Sequence, residues 1–516
     1  MTDILQNYLG GRWIAGVNGG VSLRDPIRGT DLVRVDATGL DLKAGFAFSR
    51  REGGGALRSL TYRQRGEMLG AIAKLLQGRR DAYYEIALAN SGTVKNDSAV
   101  DIDGAIYTIS TYAKLAQTLD DRRFLFDGDA AALAKEAAFQ SRHVLVPTRG
   151  LALFINAFNF PSWGLWEKAA PALLSGVPVV VKPATSTAWL AQVMVRDVVE
   201  ARILPAGALS IVCGSSAGLL DALEPFDVVS FTGSAETAGV IRSHPAIAQR
   251  SVRANVEADS VNSAILAEGE APGEGAFDLL VKEVVREMTV KSGQKCTAIR
   301  RILVPCKHYD AVAEAICARL GKVTVGDPRN TTVRMGALVN RAQYASVREG
   351  LARLREEAKV LHDGASHALV DADPAVACCL GPTLLGIPDP DRSALVHDIE
   401  VFGPVATLMP YRDAAHALDL ARRGQGSLVA SLFGSDAAML SRLSLELADS
   451  HGRVHVVSPD VADVQTGHGN VMPQSLHGGP GRAGGGEELG GARALNFYHR
   501  RAAIQASKAV VEVLGN

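Results

Sequence analysis

Between about residues 140 and 235, short runs rich in β-branched residues alternate with longer amphipathic stretches, and this alternation restricts the fold most. The stretches 162–176 and 186–202 carry apolar residues three and four positions apart, which is the periodicity of a helix. Strand, helix and strand in repetition predict parallel strands joined by crossover helices, and therefore a doubly wound α/β sheet. The runs predicted as buried strands are 143–156, 178–183, 208–214 and 226–234.

A second α/β segment follows between about residues 265 and 465. Its clearest elements are β-rich runs at 300–305 and 427–434 and a helical run at 309–323. A glycine-rich stretch, HGGPGRAGGGEELGG (477–491), precedes the C-terminal tail. The pattern predicts two doubly wound α/β lobes with one excursion, which agrees with the roughly two to four domains expected for this length. Ligands of such sheets bind at loops that follow the carboxyl ends of parallel strands.

The charge balance indicates a small-molecule enzyme or a neutral scaffold. Lys plus Arg number 54 and Asp plus Glu number 55, so the net charge is −1, and we expect neither a nucleic-acid partner nor a membrane partner. The N-terminus lacks a basic segment followed by an apolar one. No apolar run approaches the roughly 18 to 20 residues of a membrane helix. We therefore expect a cytoplasmic protein.

One of the six cysteines stands in a chemically suggestive context. The cysteines show no CxxC pairing, so the sequence predicts neither a disulfide framework nor a metal site. Cys296 follows a polar Lys-Ser-Gly-Gln-Lys run, and the helical pattern after it predicts a thiol near a helix N-terminus. There the helix dipole, Lys291 and Lys295 would favour the thiolate. The alternative is a cysteine buried in the core. A thiolate can add to an aldehyde carbonyl and, after hydride loss, form a thioester.

Five segments resemble, in order and spacing, motifs of the aldehyde dehydrogenase superfamily. The resemblance covers essentially the whole chain, and it implies the fold and chemistry of that superfamily. It identifies Cys296 as the nucleophile. The segments are LGGRWIAG (9–16), INAFNFPSWGLWEKAAPALLSGVPVVVKPA (155–184), VSFTGS (229–234), GQKCTAIRR (293–301) and VFGPV (401–405).

The resemblance also implies the other catalytic residues. Glu257 would be the general base, with a pKa raised by burial, although Ala258 and Asp259 replace the two glycines that usually follow it. The Asn159 amide and the backbone N–H of Cys296 would stabilise the oxyanion. Glu488 would be a second carboxylate, with its neighbour Glu487 as the alternative. Each of these residues could instead have a purely structural role, as a turn residue or a surface residue.

A nicotinamide cofactor is the third implication. NADP is favoured over NAD because Thr185 stands where NAD-preferring relatives often carry Glu, and a carboxylate there would repel a 2′-phosphate. The turn after 226–231 would present backbone N–H groups and a helix N-terminus to the pyrophosphate. Glu400 would bind the nicotinamide ribose, and Phe402 would pack beside the ring. The other implied cofactor-binding residues are Lys182, Ser186, Gly214, Ser215, Gly218, Phe231, Thr232, Gly233 and Ser234.

Further runs resemble those superfamily members that oxidise CoA-linked semialdehydes in aerobic degradation of aromatic acids. The chain ends at Asn516, soon after the dehydrogenase would be complete, so we expect a stand-alone enzyme. Three alternatives stay open, namely a broad medium-chain aldehyde dehydrogenase, a CoA-acylating dehydrogenase, and a binding protein without activity. These runs are VEADSVN (256–262), REMTVKSGQKCTAIRRILVP (286–305), MGALVN (335–340) and HGGPGRAGGGEELGG.

The resemblance also divides the chain. It implies an NADP-binding domain at 1–137 and 151–264, and a catalytic domain at 265–470. Residues 138–150 and 471–516 would form a β-hairpin oligomerisation segment, so we expect a homodimer.

Overall fold

The computed structural model describes residues 3–273 and 275–514, and its first large sheet has seven strands. Five strands run parallel, and an N-terminal hairpin extends the sheet in antiparallel fashion. The predicted doubly wound sheet is therefore present, with each strand a little shorter than its run. In spatial order the strands are Arg253–Glu257, Val228–Thr232, Ala152–Ile155, Val179–Lys182, Leu209–Ile211, Asn7–Leu9 and Arg12–Ile14.

Helices cover both faces of this sheet. The predicted helices at 162–176 and 186–202 are Trp163–Leu174 and Ala188–Glu200. The first is apolar nearly all round, and every residue from Leu165 to Leu174 is buried, as expected for a helix inside a large protein. The remaining helices of this lobe are Leu42–Phe48, Gly54–Ser59, Tyr62–Ser91, Lys95–Leu119, Ala235–Ser243 and Pro245–Ala248.

The second large sheet also has seven strands, and all but one edge strand are parallel. The predicted domain boundary after residue 264 falls inside a strand of this sheet, so the first lobe ends before Ser263. In spatial order its strands are Lys359–His362, Thr383–Gly386, Val405–Tyr411, Arg301–Pro305, Ser263–Leu266, Ser427–Phe433 and His451–Val457. Its helices are Gly275–Thr289, Tyr309–Leu320, Arg341–Leu354, Leu395–Asp398, Ala414–Arg422 and Ala437–Leu447.

The segment outside the two large sheets, which we call the excursion, is a long antiparallel strand pair. Phe139–Pro147 pairs along its whole length with His499–Ser507. The prediction of one strand over 143–156 is therefore wrong, because the chain leaves this pair and enters the first large sheet at Ala152. The break is fixed by Asp227, whose carboxylate accepts a hydrogen bond from the Leu151 N–H at 2.8 Å.

Smaller pairings complete the described chain. A ribbon of two short strands in the glycine-rich segment, Leu476–Gly478 and Glu487–Leu489, is the one that concerns the site. No helix among the described residues is both long and apolar enough to span a membrane. The other elements are the strands Ile4–Leu5, Val21–Arg24, Asp31–Val35, Leu125–Phe126, Ala131–Ala132, Val325–Gly326 and Leu369–Val370, and the helices Leu495–Tyr498 and Lys508–Glu512.

Candidate active site

Cys296 lies in a tight turn just before the strand Arg301–Pro305. The turn is entered through three consecutive residues in the left-handed region, Lys291, Ser292 and Gly293, with φ of 53°, 54° and 68°. A Cβ on Gly293 would lie 2.2 Å from the Gly403 carbonyl oxygen, so only glycine fits there. Left-handed non-glycine residues of this kind are strained and cluster at functional sites.

Two buried side chains fix the backbone on either side of the thiol. The Asn262 amide donates to the carbonyl oxygens of Cys296 and Ala298, at 2.8 and 3.0 Å. The Arg300 guanidinium donates to the carbonyls of Gly293 and Lys295, at 2.9 and 3.2 Å. The position of Sγ is therefore set by backbone hydrogen bonds rather than by packing alone.

The predicted helix N-terminus at Cys296 is wrong, because the described chain continues from the turn into a strand. Lys295 does not favour the thiolate either, since its ammonium group forms a buried pair with Glu287 at 2.7 Å. The Lys291 ammonium lies 4.6 Å from the centre of the Phe160 ring. Burial and the negative charge of Glu257 raise the pKa of the Cys296 thiol well above its usual value. Cys296 is therefore a thiol at neutral pH and needs a base to ionise it.

Glu257 ends the strand Arg253–Glu257 and lies beside the thiol. A Glu257 carboxylate oxygen, Cys296 Sγ and a ring nitrogen of His477 lie within 4.8 Å of one another. The His477 Nε2 is 3.0 Å from Glu257 Oε2, whereas Glu257 Oε1 has no hydrogen-bond partner in the described chain. The contact of Oε2 with His477 is electrostatic, because Nε2 makes no hydrogen bond among the described residues, and Oε1 is left for another group.

The sequence predicted a raised pKa for Glu257, but the pKa is lowered overall. Burial does raise it, but His477 and Lys168 outweigh burial and lower the pKa to about 2. Glu257 is therefore ionised at neutral pH.

Glu257, Cys296 and His477 also offer oxygen, sulfur and nitrogen donors that could hold a metal ion. The sequence did not predict this set of donors.

Two cavities meet at Cys296. A small one brings together Asn159, Glu257 and Cys296, as the resemblance implied. The other has a volume of about 220 Å³ and a mostly apolar wall, which suits the carbon chain of a substrate. Its wall is formed by Val100, Gly104, Tyr107, Thr108, Phe160, Trp163, Cys296, Thr297, Gly469, Asn470, Val471, Met472 and His477.

A buried charged cluster lies behind Glu257. The carboxylates of Glu167, Glu257 and Glu488 lie within 4.8 Å of one another, and Lys168 Nζ is 3.5 Å from Glu488 Oε1. Burial lowers the pKa of Lys168, but the three carboxylates outweigh burial and raise it. Burial and Glu488 raise the pKa of Glu167 well above its usual value. Glu488 belongs to this cluster, whereas Glu487 is exposed.

The sequence analysis missed Lys168 and His477. A signal for Lys168 was available, since Glu167 and Lys168 are adjacent charged residues inside the otherwise apolar helix Trp163–Leu174, and buried charges must be paired. No such signal marks His477, because its partner Glu257 is 220 positions away in the sequence.

The residues predicted to meet the adenosine lie where the parallel strands of the first sheet end, at their carboxyl ends. Lys182 ends the strand Val179–Lys182 and is largely buried. The Thr185 hydroxyl donates to the Gly214 carbonyl at 3.2 Å. Gly214 and Gly218 have φ of 139° and 78°. The Ser186 carbonyl and the Ser215 hydroxyl accept hydrogen bonds from Asn90 Nδ2 and Ala217 N–H, respectively.

The turn predicted to meet the pyrophosphate has the expected form. Gly233 connects the strand Val228–Thr232 to the helix Ala235–Ser243, and the Ser234 hydroxyl caps that helix by accepting from the Thr237 N–H at 3.3 Å. Thr232 instead accepts from Lys168 Nζ at 2.5 Å. The Phe231 side chain belongs to the hydrophobic core, so it offers no side chain to a cofactor.

Glu400 and Phe402 lie near the nucleophile turn. Glu400 Oε2 accepts from the Ser260 N–H at 3.2 Å, while Oε1 is buried without a hydrogen-bond partner in the described part of the chain. Burial raises the pKa of Glu400 to about 7. The Phe402 ring packs edge-on against Phe158, with the Arg300 guanidinium 5.6 Å from its centre.

Comparison with known proteins agrees with this geometry. A family model described as the aldehyde dehydrogenase family matches residues 13–504. A curated relative from Aromatoleum evansii, named 3,4-dehydroadipyl-CoA semialdehyde dehydrogenase, is 55% identical over 477 residues, which are 92% of this chain and 93% of the relative.

Solved structures confirm the predicted fold. Lactaldehyde dehydrogenase from Escherichia coli has a TM-score of 0.85 at 20% identity, covering 98% of this chain and 100% of its own. A variant of aldehyde dehydrogenase C from Pseudomonas syringae, solved with NAD+ and octanal, has a TM-score of 0.83 at 21% identity, covering 97% and 96% of the two chains. The chain therefore belongs to the aldehyde dehydrogenase family.

Proposed function

We propose that the protein oxidises 3,4-didehydroadipyl-CoA semialdehyde to the free acid, with NADP as the oxidant and water as the acyl acceptor, in aerobic benzoate degradation. The observation that carries the chemistry is the convergence of Asn159, Glu257 and Cys296 on one cavity. The substrate follows from the relative at 55% identity over nearly the whole of both chains. The CoA thioester is a handle, and the free aldehyde is the group that reacts.

Acylation begins with the thiol. The free Glu257 Oε1 takes the Cys296 proton, and the thiolate adds to the aldehyde carbon. The Asn159 amide and the Cys296 backbone N–H donate to the oxygen as its charge develops, which typically contributes about 3 kcal/mol per donor. The nicotinamide ring, when bound, accepts the hydride from that carbon. The product of this stage is a thioester on Cys296.

Hydrolysis then uses Glu257 a second time, after Glu257 has passed the thiol proton to the solvent. Glu257 takes a proton from water as the oxygen attacks the thioester carbon, the carbon–sulfur bond breaks, and Cys296 leaves as a thiolate. The acid is released, and Glu257 returns its proton to Cys296, which restores the thiol. Glu488 is the second carboxylate of the site and acts on Glu257 through Lys168. Because Glu257 lies beside the thiol, water rather than a second thiol is the favoured acceptor.

Residues of both lobes fit a dinucleotide. In the second lobe, the buried Glu400 Oε1 has no hydrogen-bond partner among the described residues and is an acceptor suited to ribose hydroxyls. In the first lobe, the helix Ala235–Ser243 presents its N-terminus to a pyrophosphate. Lys182 with the hydroxyls of Thr185 and Ser186 would hold the adenosine ribose. Cation and hydroxyl donors favour a 2′-phosphate, so NADP is the preferred cofactor and NAD a weaker one.

Steady-state kinetics test the proposal. The kcat/KM for the CoA semialdehyde with NADP is expected to exceed that for hexanal or octanal by at least about a hundredfold, since the CoA handle contributes binding energy in the transition state. Equal values would favour the broad medium-chain dehydrogenase. Product analysis with and without free CoA shows whether the enzyme transfers the acyl group to CoA. If no condition gives turnover, the remaining alternative is a binding protein without activity.

The proposed assembly is a cytoplasmic homodimer. Phe139 on one strand of the excursion, and Val510 and Val513 in the C-terminal segment that follows its partner strand, are large apolar side chains that are 43% to 59% exposed. Apolar side chains exposed together mark an interaction surface. A second copy, packed on this segment, is the occupant that we propose. Light scattering with Phe139→Lys would show a shift toward monomer.

A further inference from the structure

One short ribbon brings two ionisable side chains to the base. In the ribbon Leu476–Gly478 with Glu487–Leu489, His477 pairs directly with Glu488. Directly opposed residues of an antiparallel pair have their side chains on the same face. Glu488 reaches the charged cluster behind Glu257, and His477 reaches Glu257 itself.

The contact between His477 and Glu257 is buried and specific. Both side chains are 2% to 3% exposed, and Nε2 lies 3.0 Å from Oε2. The imidazole packs edge-on against Trp163, with ring centres 5.4 Å apart. His477 also lines the cavity that Cys296 opens into. An aromatic neighbour therefore packs on the ring, and Nε2, which makes no hydrogen bond among the described residues, lies at ion-pair distance from the carboxylate.

We propose that His477 is a positioning residue for the general base, holding Oε2 of Glu257 so that Oε1 faces the Cys296 thiol and, after acylation, the hydrolytic water. This inference rests on the proposed function. A Glu257 carboxylate oxygen, a His477 ring nitrogen and Cys296 Sγ converge within 4.8 Å, and Nε2 and Oε2 are 3.0 Å apart. General-base catalysis requires the acceptor oxygen within hydrogen-bond reach of the proton it takes.

Lys168 is the reason a holder is needed. It is a cation that also lowers the pKa of Glu257, and it donates to Thr232 and lies close to Glu488. Without His477, the attraction of Lys168 would draw the Glu257 carboxylate toward the cluster and away from the thiol. His477 therefore balances the attraction of Lys168.

The test compares His477→Phe with His477→Gln. Phenylalanine keeps the packing on Trp163 but has no donor, whereas glutamine keeps a neutral donor. In His477→Phe the steady-state kcat should fall on the order of 10²-fold, with a burst of NADPH that is slower but retained. His477→Gln should recover most of that loss, which a purely structural role would not predict. His416→Gln removes a buried imidazole that lies beside Asp391 in the second lobe, and this control should keep the wild-type kcat and burst.

The outcomes separate the inference from the proposed function. Each enzyme is assayed with the CoA semialdehyde and with octanal, and NADP binding is measured by fluorescence to verify folding. A His477→Phe enzyme with wild-type kcat, or a His477→Gln enzyme no more active than His477→Phe, overturns the role of His477. If His477→Phe fails to fold, His477→Asn, whose amide is too short to reach Glu257, replaces it in the comparison with His477→Gln. A wild type that turns over octanal as well as the CoA semialdehyde rejects the proposed substrate alone.

Discussion

The carboxylate of Asp259 accepts a hydrogen bond from the Ala235 N–H, 3.0 Å away, at the first residue of the helix Ala235–Ser243. The N-terminus of that helix is the place proposed for the cofactor pyrophosphate. Asp259 is also one of the two residues that replace the usual glycines after Glu257. The Asp259 carboxylate thus takes the Ala235 N–H that an anionic ligand would otherwise use.

Replacing Asp259 by glycine is expected to tighten cofactor binding. The change frees the Ala235 N–H and removes a negative charge beside the pyrophosphate, so the Kd for NADP should fall roughly three- to tenfold. Titration by fluorescence quenching measures it. Glu236→Gln, which removes an exposed charge from the same helix turn, is the matched control and should change Kd less. Weaker binding in Asp259→Gly would show that Asp259 instead supports the site.

Replacing Cys296 by alanine should abolish NADPH formation and leave the Kd for NADP within about twofold. The thiol forms the covalent bond on which hydride release depends, but it contributes little to cofactor binding. Single-turnover absorbance at high enzyme concentration measures the first quantity. Cys306→Ala removes an exposed cysteine and should behave as wild type. Substantial turnover in Cys296→Ala would rule out the covalent mechanism.

Glu257→Gln should separate the two chemical stages. Hydrolysis loses its base and should slow on the order of 10²- to 10⁴-fold. The burst of NADPH should remain but form more slowly, because the thiol must then lose its proton to the solvent. Stopped-flow absorbance gives the burst and the steady state in one trace. Loss of the burst as well would mean that Glu257 is also indispensable for ionising the high-pKa thiol.

Thr185→Glu is expected to shift the cofactor preference from NADP toward NAD. A carboxylate accepts from a ribose 2′-hydroxyl and repels a 2′-phosphate, so the Kd for NADP should rise by roughly tenfold or more, about 1.4 kcal/mol. Isothermal titration with both cofactors measures this shift. Thr185→Ser keeps the hydroxyl and should keep the wild-type ratio. An unchanged ratio in Thr185→Glu would place the 2′-phosphate elsewhere.

Glu400→Gln should stabilise the protein at high pH while weakening cofactor binding. Burial raises the pKa of Glu400 from 4.5 to about 7, so the folded state holds this proton more tightly than the unfolded state. The penalty of ionising Glu400 therefore grows from about pH 4.5 to pH 7 and reaches at most about 3 kcal/mol. The Tm difference between Glu400→Gln and wild type should be larger at pH 8 than at pH 5. A difference independent of pH would contradict a buried, proton-binding Glu400.

The fold and the reacting residues could be predicted from sequence because they lie in local patterns. Strand runs, helix periodicity and the segment around Cys296 are each readable within about twenty residues. The environment of the thiol could not be predicted. The turn after Gly293 replaces the expected helix because the chain must enter the strand Arg301–Pro305, and Lys295 is captured by Glu287.

The electrostatics of the base depended on long-range contacts. Burial of Glu257 was predicted, and burial alone would have raised its pKa. The opposite result arises from His477, which the glycine-rich ribbon brings to the end of a strand in another lobe. Such pairings depend on strand register and on how segments far apart in the chain pack together, and neither is encoded in a local pattern.

The ribbon Leu476–Gly478 with Glu487–Leu489 is followed after nine residues by the strand His499–Ser507 of the excursion. Catalytic geometry and the proposed subunit contact therefore share one stretch of backbone. Deletions that reach this strand also remove the chain segment that anchors the ribbon. Shortening the C-terminus is therefore not a route to an active monomer. Point substitutions on the exposed face of Phe139–Pro147 leave that segment in place, and fusion partners are better attached at the N-terminus.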